Sequence, residues 1–313
     1  MLGFVVRRVL SVIPVLLIVA VLVFLMLRLV PGDPAAVIAG DTATDEQVQA
    51  LRARMGLEKP LPAQFAIWIG NVLRGDLGES YFFKKPVAEL IGQRLEPTLA
   101  LGLCALLLAV VVAVPVGVLA AFRQGSWIDR LVMGVSVIGF SMPLFVLAYL
   151  LVYVFSVELE WLPVQGYSRI REGLWPWLER LILPSLALSV GYIALIARIT
   201  RTSVLEVLNE DYIRTARAKG LTEREMLIGH ALRNAAVPIL TIIGIGIAVL
   251  IGGAVVTESV FAIPGLGRLT VEAVLSRDFP VIQALILLFS TGYVLVNLLV
   301  DIGYAFLDPR IRF

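Results

Sequence analysis

The sequence predicts an all-α integral membrane protein with six transmembrane helices and a helical extracytoplasmic loop after the first. Three observations predict it. Of 313 residues, 59% are hydrophobic and 16% charged, against about 25% charged in an average soluble domain. In water such a chain leaves too much apolar surface exposed, so lipid is the solvent that suits it. Second, the charges leave six clear stretches, 9–27, 97–122, 131–157, 181–197, 235–257 and 279–300. Each is near the ~20 residues a helix needs to cross a ~30 Å hydrocarbon core. Third, residues 31–96 between the first two stretches read like soluble helical protein.

The first stretch follows Arg7 and Arg8. Its apolar run exceeds the roughly 7–15 residues of a signal-peptide core, so a retained helix is expected. In the loop after it, Thr44 and Gln47 form a capping box, and Gly56 closes that helix behind Met55. Phe65, Trp68, Ile69 and Val72 make an apolar helical stripe, and Pro86 suits the start of a third short helix carrying Val87, Leu90 and Ile91. The loop reads either as a cap packed on its own bundle or as a dock for something delivered from outside. Pro115, Gly117, Pro143, Pro184 and Gly191 mark places where spans bend or pack closely. Basic residues collect on one set of loops: Arg7 and Arg8, Arg123 and Arg130, the run from Arg198 to Arg233, and Arg310 and Arg312. The positive-inside rule then places both termini in the cytoplasm. The expected organisation is an N-terminal transmembrane helix (1–30), the extracytoplasmic loop (31–96) and a five-helix core (97–313) that includes cytoplasmic helices at 209–234.

Several chemistries are excluded. A net charge of +2 gives no basic field for nucleic acid. Cys104 is the one cysteine, so there is no intrachain disulfide and no thiolate metal cluster. His230 is the one histidine, which removes His-pair zinc sites and any credible Ser/His/Asp arrangement. No phosphate-binding Gly-x-x-x-x-Gly-Lys-Ser/Thr occurs, so the chain is expected to be no enzyme and to hold no cofactor or metal. Arg28, Arg198, Glu258 and Asp301 lie at span ends, where snorkelling suffices. No span has the central charge that ion-coupled transport uses. Asp301 is placed to pair with Arg198 or Arg201, the alternative being that each snorkels separately. Ser136, Ser141, Ser189, Tyr192 and Asn297 are polar residues within spans. They are candidates for lining a path or for bonding between helices.

The segment 209–234 carries the densest local signals. Asn209 suits an N-cap, Glu210 and Asp211 place negative charge in the first turn, and Arg214, Arg217 and Lys219 place positive charge near the end. Gly220 suits the left-handed residue that closes a helix. Thr222 and Glu225 then form a capping box, with Leu221 and Met226 at the staple positions. The result is a helix, a tight corner and a second helix running through His230 and Arg233 toward the fifth span. Two readings fit: an amphipathic pair lying on anionic lipid, or a rigid lever docked to a cytoplasmic protein.

The run Tyr212-Ile213-Arg214-Thr215-Ala216-Arg217-Ala218-Lys219-Gly220-Leu221, followed by His230-Ala231-Leu232-Arg233-Asn234-Ala235 and Pro238, resembles the coupling motif of permease subunits in binding-protein-dependent ABC importers. More narrowly, it resembles their dipeptide/oligopeptide branch. Leu29-Val30-Pro31-Gly32-Asp33-Pro34, Phe261-Ala262-Ile263-Pro264-Gly265-Leu266-Gly267-Arg268, Arg277-Asp278-Phe279-Pro280-Val281-Ile282-Gln283-Ala284 and Asp308-Pro309-Arg310 agree in order. The likeness departs in one place: where the general motif has Glu-Ala-Ala before its glycine, this chain has Arg214-Thr215-Ala216.

The resemblance implies a type I importer-like permease fold in the inner membrane of a prokaryote. It implies a homologous second permease, two ATP-binding subunits that use the ATP, and an extracytoplasmic solute-binding protein. The motif positions would couple to the ATPases: Tyr212, Arg214, Thr215, Ala216, Arg217, Ala218, Lys219, Gly220, Leu221, His230, Arg233 and Asn234. The cargo implied is a short peptide, glutathione included. A nickel importer of the same branch is the alternative, and a self-contained secondary transporter is the more distant one.

Overall fold

A computed structural model describes residues 2–29, 35, 44–54 and 57–307. Residues 30–34, Gly56 and 308–310, along with the side chains of Arg28 and His230, lie outside the described set. Most of the described residues are helical. In chain order they form α1 (Leu2–Leu29), α2 (Asp45–Arg54), α3 (Leu61–Leu73), α4 (Val87–Phe122), α5 (Trp127–Ser141) and α6 (Leu144–Val152). A π-helical turn, Tyr153–Glu158, extends α6. Then come α7 (Leu174–Leu208), α8 (Asp211–Ala218), the short α9 (Glu223–Glu225), a π turn (Met226–Ala231), α10 (Leu232–Val260), α11 (Leu266–Leu275) and α12 (Phe279–Leu307).

The helices α1, α4, α7 and α12 are each long and apolar enough to cross a membrane. Counting each of two bent pairs as one span gives six: α5 with the extended α6, meeting at 102°, and the two parts of α10, meeting at 44°. The third predicted span, 131–157, is therefore not one helix. Pro143 offers no N–H to continue α5, and its ring forces Met142 into extended backbone (φ −78°, ψ 125°). Pro143 then opens α6. A second correction concerns Pro86 and Pro97. The helix after Pro86 is not a separate short one. It runs through Pro97 and Pro115 to Phe122.

The chain divides into two compact units. The first comprises Met1–Val5, Leu95–Arg268 and Leu295–Phe313. Its axis is α7, 56% of whose apolar window is buried. On α4, Leu101, Ala105, Ala109 and Ala113 are fully buried at every fourth residue. The next position in that series is Gly117. A Cβ there would stand 2.6 Å from the Ala197 carbonyl oxygen and 2.7 Å from Thr200 Cβ. At Gly117, α4 and α7 thus approach backbone to backbone, as helices do where lipid supplies no hydrophobic drive. Elsewhere along α7, Gly139 of α5 meets Val190, and Gly246 and Gly253 of α10 meet Tyr192 and Leu188.

Two buried acids lie in this unit. Asp129, capped into the first turn of α5 by Ser126, receives Arg201 through both oxygens at 2.5 and 2.7 Å. Arg201 thus engages Asp129 rather than the predicted Asp301, in the bidentate geometry that guanidinium favours. Glu258 does not snorkel. It is fully buried, accepting the Thr98 hydroxyl at 2.6 Å and the Arg268 N–H at 2.9 Å. Thr98 Oγ1 accepts the Leu266 N–H at 2.7 Å. At Gly265 the carboxyl fills the space a Cβ would need, 2.2 Å away, and at Gly267 a Cβ would stand 2.7 Å from Val255 Cα and 3.0 Å from the carboxylate.

The second unit comprises Val6–Arg94 and Leu269–Val294. Phe65 and Trp68 of α3 pack on Phe24 of α1, with ring centroids 5.3 and 5.7 Å from it. The predicted stripe therefore faces its own bundle. The Thr44–Gln47 capping box is present, with reciprocal bonds of 3.1 and 3.4 Å. Asp278, fully buried just before α12, accepts the Ser80 hydroxyl and the Tyr81 and Phe82 N–H groups. Arg94 closes on Glu272 at 2.8 Å. Gln283 donates to the Val23 carbonyl at 2.8 Å.

Candidate functional site

The first candidate surface is the helix pair around Gly220. Asn209 is not its N-cap: it ends α7, donating its backbone N–H to Glu206 and its side chain to Leu205. Glu210 begins α8 in extended backbone, and Asp211 alone supplies acid to the first turn. The helix closes as its glycine predicts. Gly220 sits at φ +82°, its N–H bonds Arg217 O, and the Leu221 N–H reaches back to Ala216 O. These are the two bonds of a Schellman closure.

Thr222 then caps the second helix. Its hydroxyl donates to Glu225 Oε2 at 2.7 Å, its N–H to the same oxygen at 2.9 Å, and the Glu225 N–H returns to Thr222 Oγ1 at 3.3 Å. The Thr222 hydroxyl and N–H hold the Glu225 carboxyl below the usual glutamate range. A lowered folded pKa means the cap is complete at neutral pH and is lost as pH falls through it. The staple residue Met226 is fully buried.

Two contacts, and an exposed ion pair that adds little, hold the pair together. Ile213 is fully buried beneath α8. Asn234 at the start of α10 donates to the Tyr212 hydroxyl at 2.8 Å. Arg217 reaches across the corner to Glu223 at 3.3 Å. Beneath the pair, Ala121, Val204, Leu227, Ala231, Ala235 and Ile239 form one apolar cluster from the ends of α4 and α7, the π turn and the start of α10. Arg214, Thr215, Arg217, Ala218, Lys219 and Gly220 face outward and exposed, and so do Arg233 and Asn234. Exposed ion pairs such as Arg214–Asp211 at 3.3 Å add little. The stiffness comes from the caps and the cluster. The π turn between α9 and α10 had no signal that sequence reasoning used.

The second candidate site lies between α5, α6, α7 and α10. An apolar cavity of about 410 Å³ is lined by Phe140, Met142, Leu147, Leu188, Tyr192 and Leu250 among others. Phe140 also lines a second, smaller cavity of about 50 Å³ with Ser136, Ala194 and Arg198. Of the five polar span residues, Ser136 and Tyr192 therefore line cavities, and Ser141 is exposed at the break between α5 and α6. Tyr192 is buried, its hydroxyl donating to the Ile242 carbonyl at 2.9 Å. Ser189 is fully buried and bonds its own helix at Leu186 O, 3.1 Å away. Asn297 is half-buried and lines neither cavity. Sequence reasoning missed Arg198 as a cavity residue, having placed it at a span end.

Residues 113–313 match the family model described as binding-protein-dependent transport system inner membrane component. Residues 1–102 match the model for the N-terminal part of such membrane components. A probable peptide ABC transporter permease protein of Sinorhizobium fredii is 54% identical over 310 residues, covering 99% of both chains. The glutathione transport system permease protein GsiC of Escherichia coli is 47% identical over 313 residues, covering 100% of both. Among solved structures, the MetNI methionine ABC transporter in an inward-facing conformation superposes with a TM-score of 0.59 at 21% identity. That match covers 70% of this chain and 96% of the other, and at this identity it speaks to the fold.

Proposed function

The chain belongs to the family of binding-protein-dependent transport system inner membrane components, and from that premise we propose that it carries short peptides, glutathione among them, across the inner membrane of a prokaryote. The observation that carries the cargo reading is full-length likeness to peptide and glutathione permeases at 54% and 47% identity. In this reading the chain forms one half of a pore with a homologous permease. Two ATP-binding subunits dock on the exposed face of α8 and the Gly220 corner, through Tyr212, Arg214 to Leu221, His230, Arg233 and Asn234. A solute-binding protein delivers cargo on the opposite side. Both termini are cytoplasmic. Residues 1–30 anchor, 31–96 stand outside, and 97–313 form the conducting core.

The rigid fastening of α8 supports the mechanism. Closure of the ATPase pair moves a capped lever, and the lever tilts α7 and α10, which it joins. The bend at Pro143 and the glycine contacts of α10 give the core helices places to reorient. The test is reconstitution. Vesicles containing this chain and its sister permease alone transport no peptide. Adding the ATPase subunits, loaded binding protein and ATP restores uptake. Peptide uptake without ATPase subunits would instead make the chain a self-contained transporter.

A further inference from the structure

Arg198 is placed where a snorkelling arginine would not be. The pairs Asp129–Arg201 and Gly139–Val190 set α5 and α7 antiparallel. Trp127, 72% exposed, marks the end of α5 beside Asp129, and an exposed Trp suits the membrane interface. A side chain seeking that interface would extend toward Asp129. Arg198 extends the other way. Its Cζ stands 5.7 Å from the centroid of Phe140, and Phe140 lies roughly 16 Å along the helix from Asp129 at 1.5 Å per residue. Among the described residues its guanidinium meets no carboxylate and no hydrogen-bond acceptor.

Ser136, 9% exposed, points into the same cavity and its hydroxyl likewise has no partner among the described residues. Two donors without acceptors among the described residues thus line one small cavity, Arg198 from its exposed side and Ser136 from within. Beyond Phe140 opens the apolar cavity of about 410 Å³. That size falls within the ~300–1,000 Å³ of ligand pockets, which combine apolar walls with a few convergent polar groups.

We propose that Arg198 and Ser136 form a station for the terminal carboxylate of a peptide in transit, and that the cavity beyond Phe140 takes the adjoining apolar side chain. Guanidinium matches a carboxylate with parallel N–H bonds, and the serine hydroxyl supplies a third donor. The inference rests on the peptide reading above.

The test uses the complete transporter in proteoliposomes, with binding protein loaded to equal occupancy with either a tripeptide acid or its C-terminal amide. Arg198→Gln should lower ATP-driven uptake of the acid about tenfold and that of the amide less than about twofold. Arg198→Lys should recover part of the acid uptake, and Ser136→Ala should show a smaller loss with the same preference. Equal loss for both peptides overturns the station and points to a lipid phosphate or a residue of the sister permease as the partner. Unchanged uptake of both overturns it as well. If the unmutated transporter imports neither peptide, the peptide reading itself fails and the station with it.

Discussion

Replacing Glu258 by alanine is expected to give the largest loss of folded protein of any single change in the first unit. The carboxylate is fully buried and accepts the Thr98 hydroxyl and the Arg268 N–H. Thr98 in turn holds the Leu266 N–H. One side chain therefore ties α4 to the turn between α10 and α11, where Ala262 sits at φ +51°. Alanine removes the acceptor that the Thr98 hydroxyl and the Arg268 N–H share, at about 1–3 kcal/mol each, and it opens a void beside Gly265. Glu258→Gln should be milder, because one oxygen survives, but the new NH₂ has to face either Thr98 or the Arg268 N–H. Gly265→Ala should approach the alanine variant in severity from the other side, since its Cβ would stand 2.2 Å from the carboxyl carbon. The measurement is thermal unfolding of purified protein in detergent, with membrane yield as a second readout. An unfolding midpoint for Glu258→Ala within a degree or two of the unmutated chain would contradict this account.

The second large effect is expected at Gly246. A Cβ there would fall 1.6 Å from the Tyr192 ring. The ring cannot yield cheaply: Tyr192 is 3% exposed, and its hydroxyl is held by the backbone of α10 at Ile242. Gly246→Ala must push the ring off that bond or push α10 away from α7, at about 1–3 kcal/mol for the overpacking alone. Tyr192→Phe removes only the hydroxyl bond and should be mild, about 1 kcal/mol. Tyr192→Ala combined with Gly246→Ala should be less destabilised than the two separate losses added together. The double-mutant cycle, read by thermal unfolding, tests this. Strict additivity would show that the two residues do not oppose each other.

These two sites show where sequence reasoning reached and where it stopped. Span locations followed from charge-free runs, and both capping boxes followed from spacing, because each depends only on residues a few positions apart. Gly220 was legible for the same reason: a glycine after a helix with basic residues in its last turn has few other uses. Pro143 and Pro115 were not separable from sequence. Both interrupt apolar stretches, yet α4 continues through Pro115 while α5 ends before Pro143. The local chemistry is the same, and packing around each proline decides.

Glu258 was assigned to snorkelling because it stands at a span end. What buries it comes from Thr98, far away in sequence, and from backbone N–H groups that no sequence pattern displays. The signal available was the pair Gly265 and Gly267, whose missing side chains make room for something. The stripe at Leu101, Ala105, Ala109, Ala113 and Gly117 was likewise open to view as a period of four. Arg198 was hidden by its register: its position on α7 is peripheral, and only the direction of its side chain brings it to Phe140.

In the proposed mechanism the helix pair around Gly220 carries ATP-driven motion into the membrane helices. Gly220 is the cleanest place to test it, since its φ is +82° and a Cβ there would meet no atom within 4 Å. A valine at that position therefore strains the backbone of the corner without colliding with a neighbour. The decisive measurement is the number of ATP molecules hydrolysed per peptide imported by the complete reconstituted transporter carrying Gly220→Val. Normal amounts of inserted protein, continuing hydrolysis and uptake reduced about tenfold or more are expected, a loss of about 1.4 kcal/mol or more in coupling. Uptake and the ATP-to-peptide ratio both matching the unmutated transporter would contradict it.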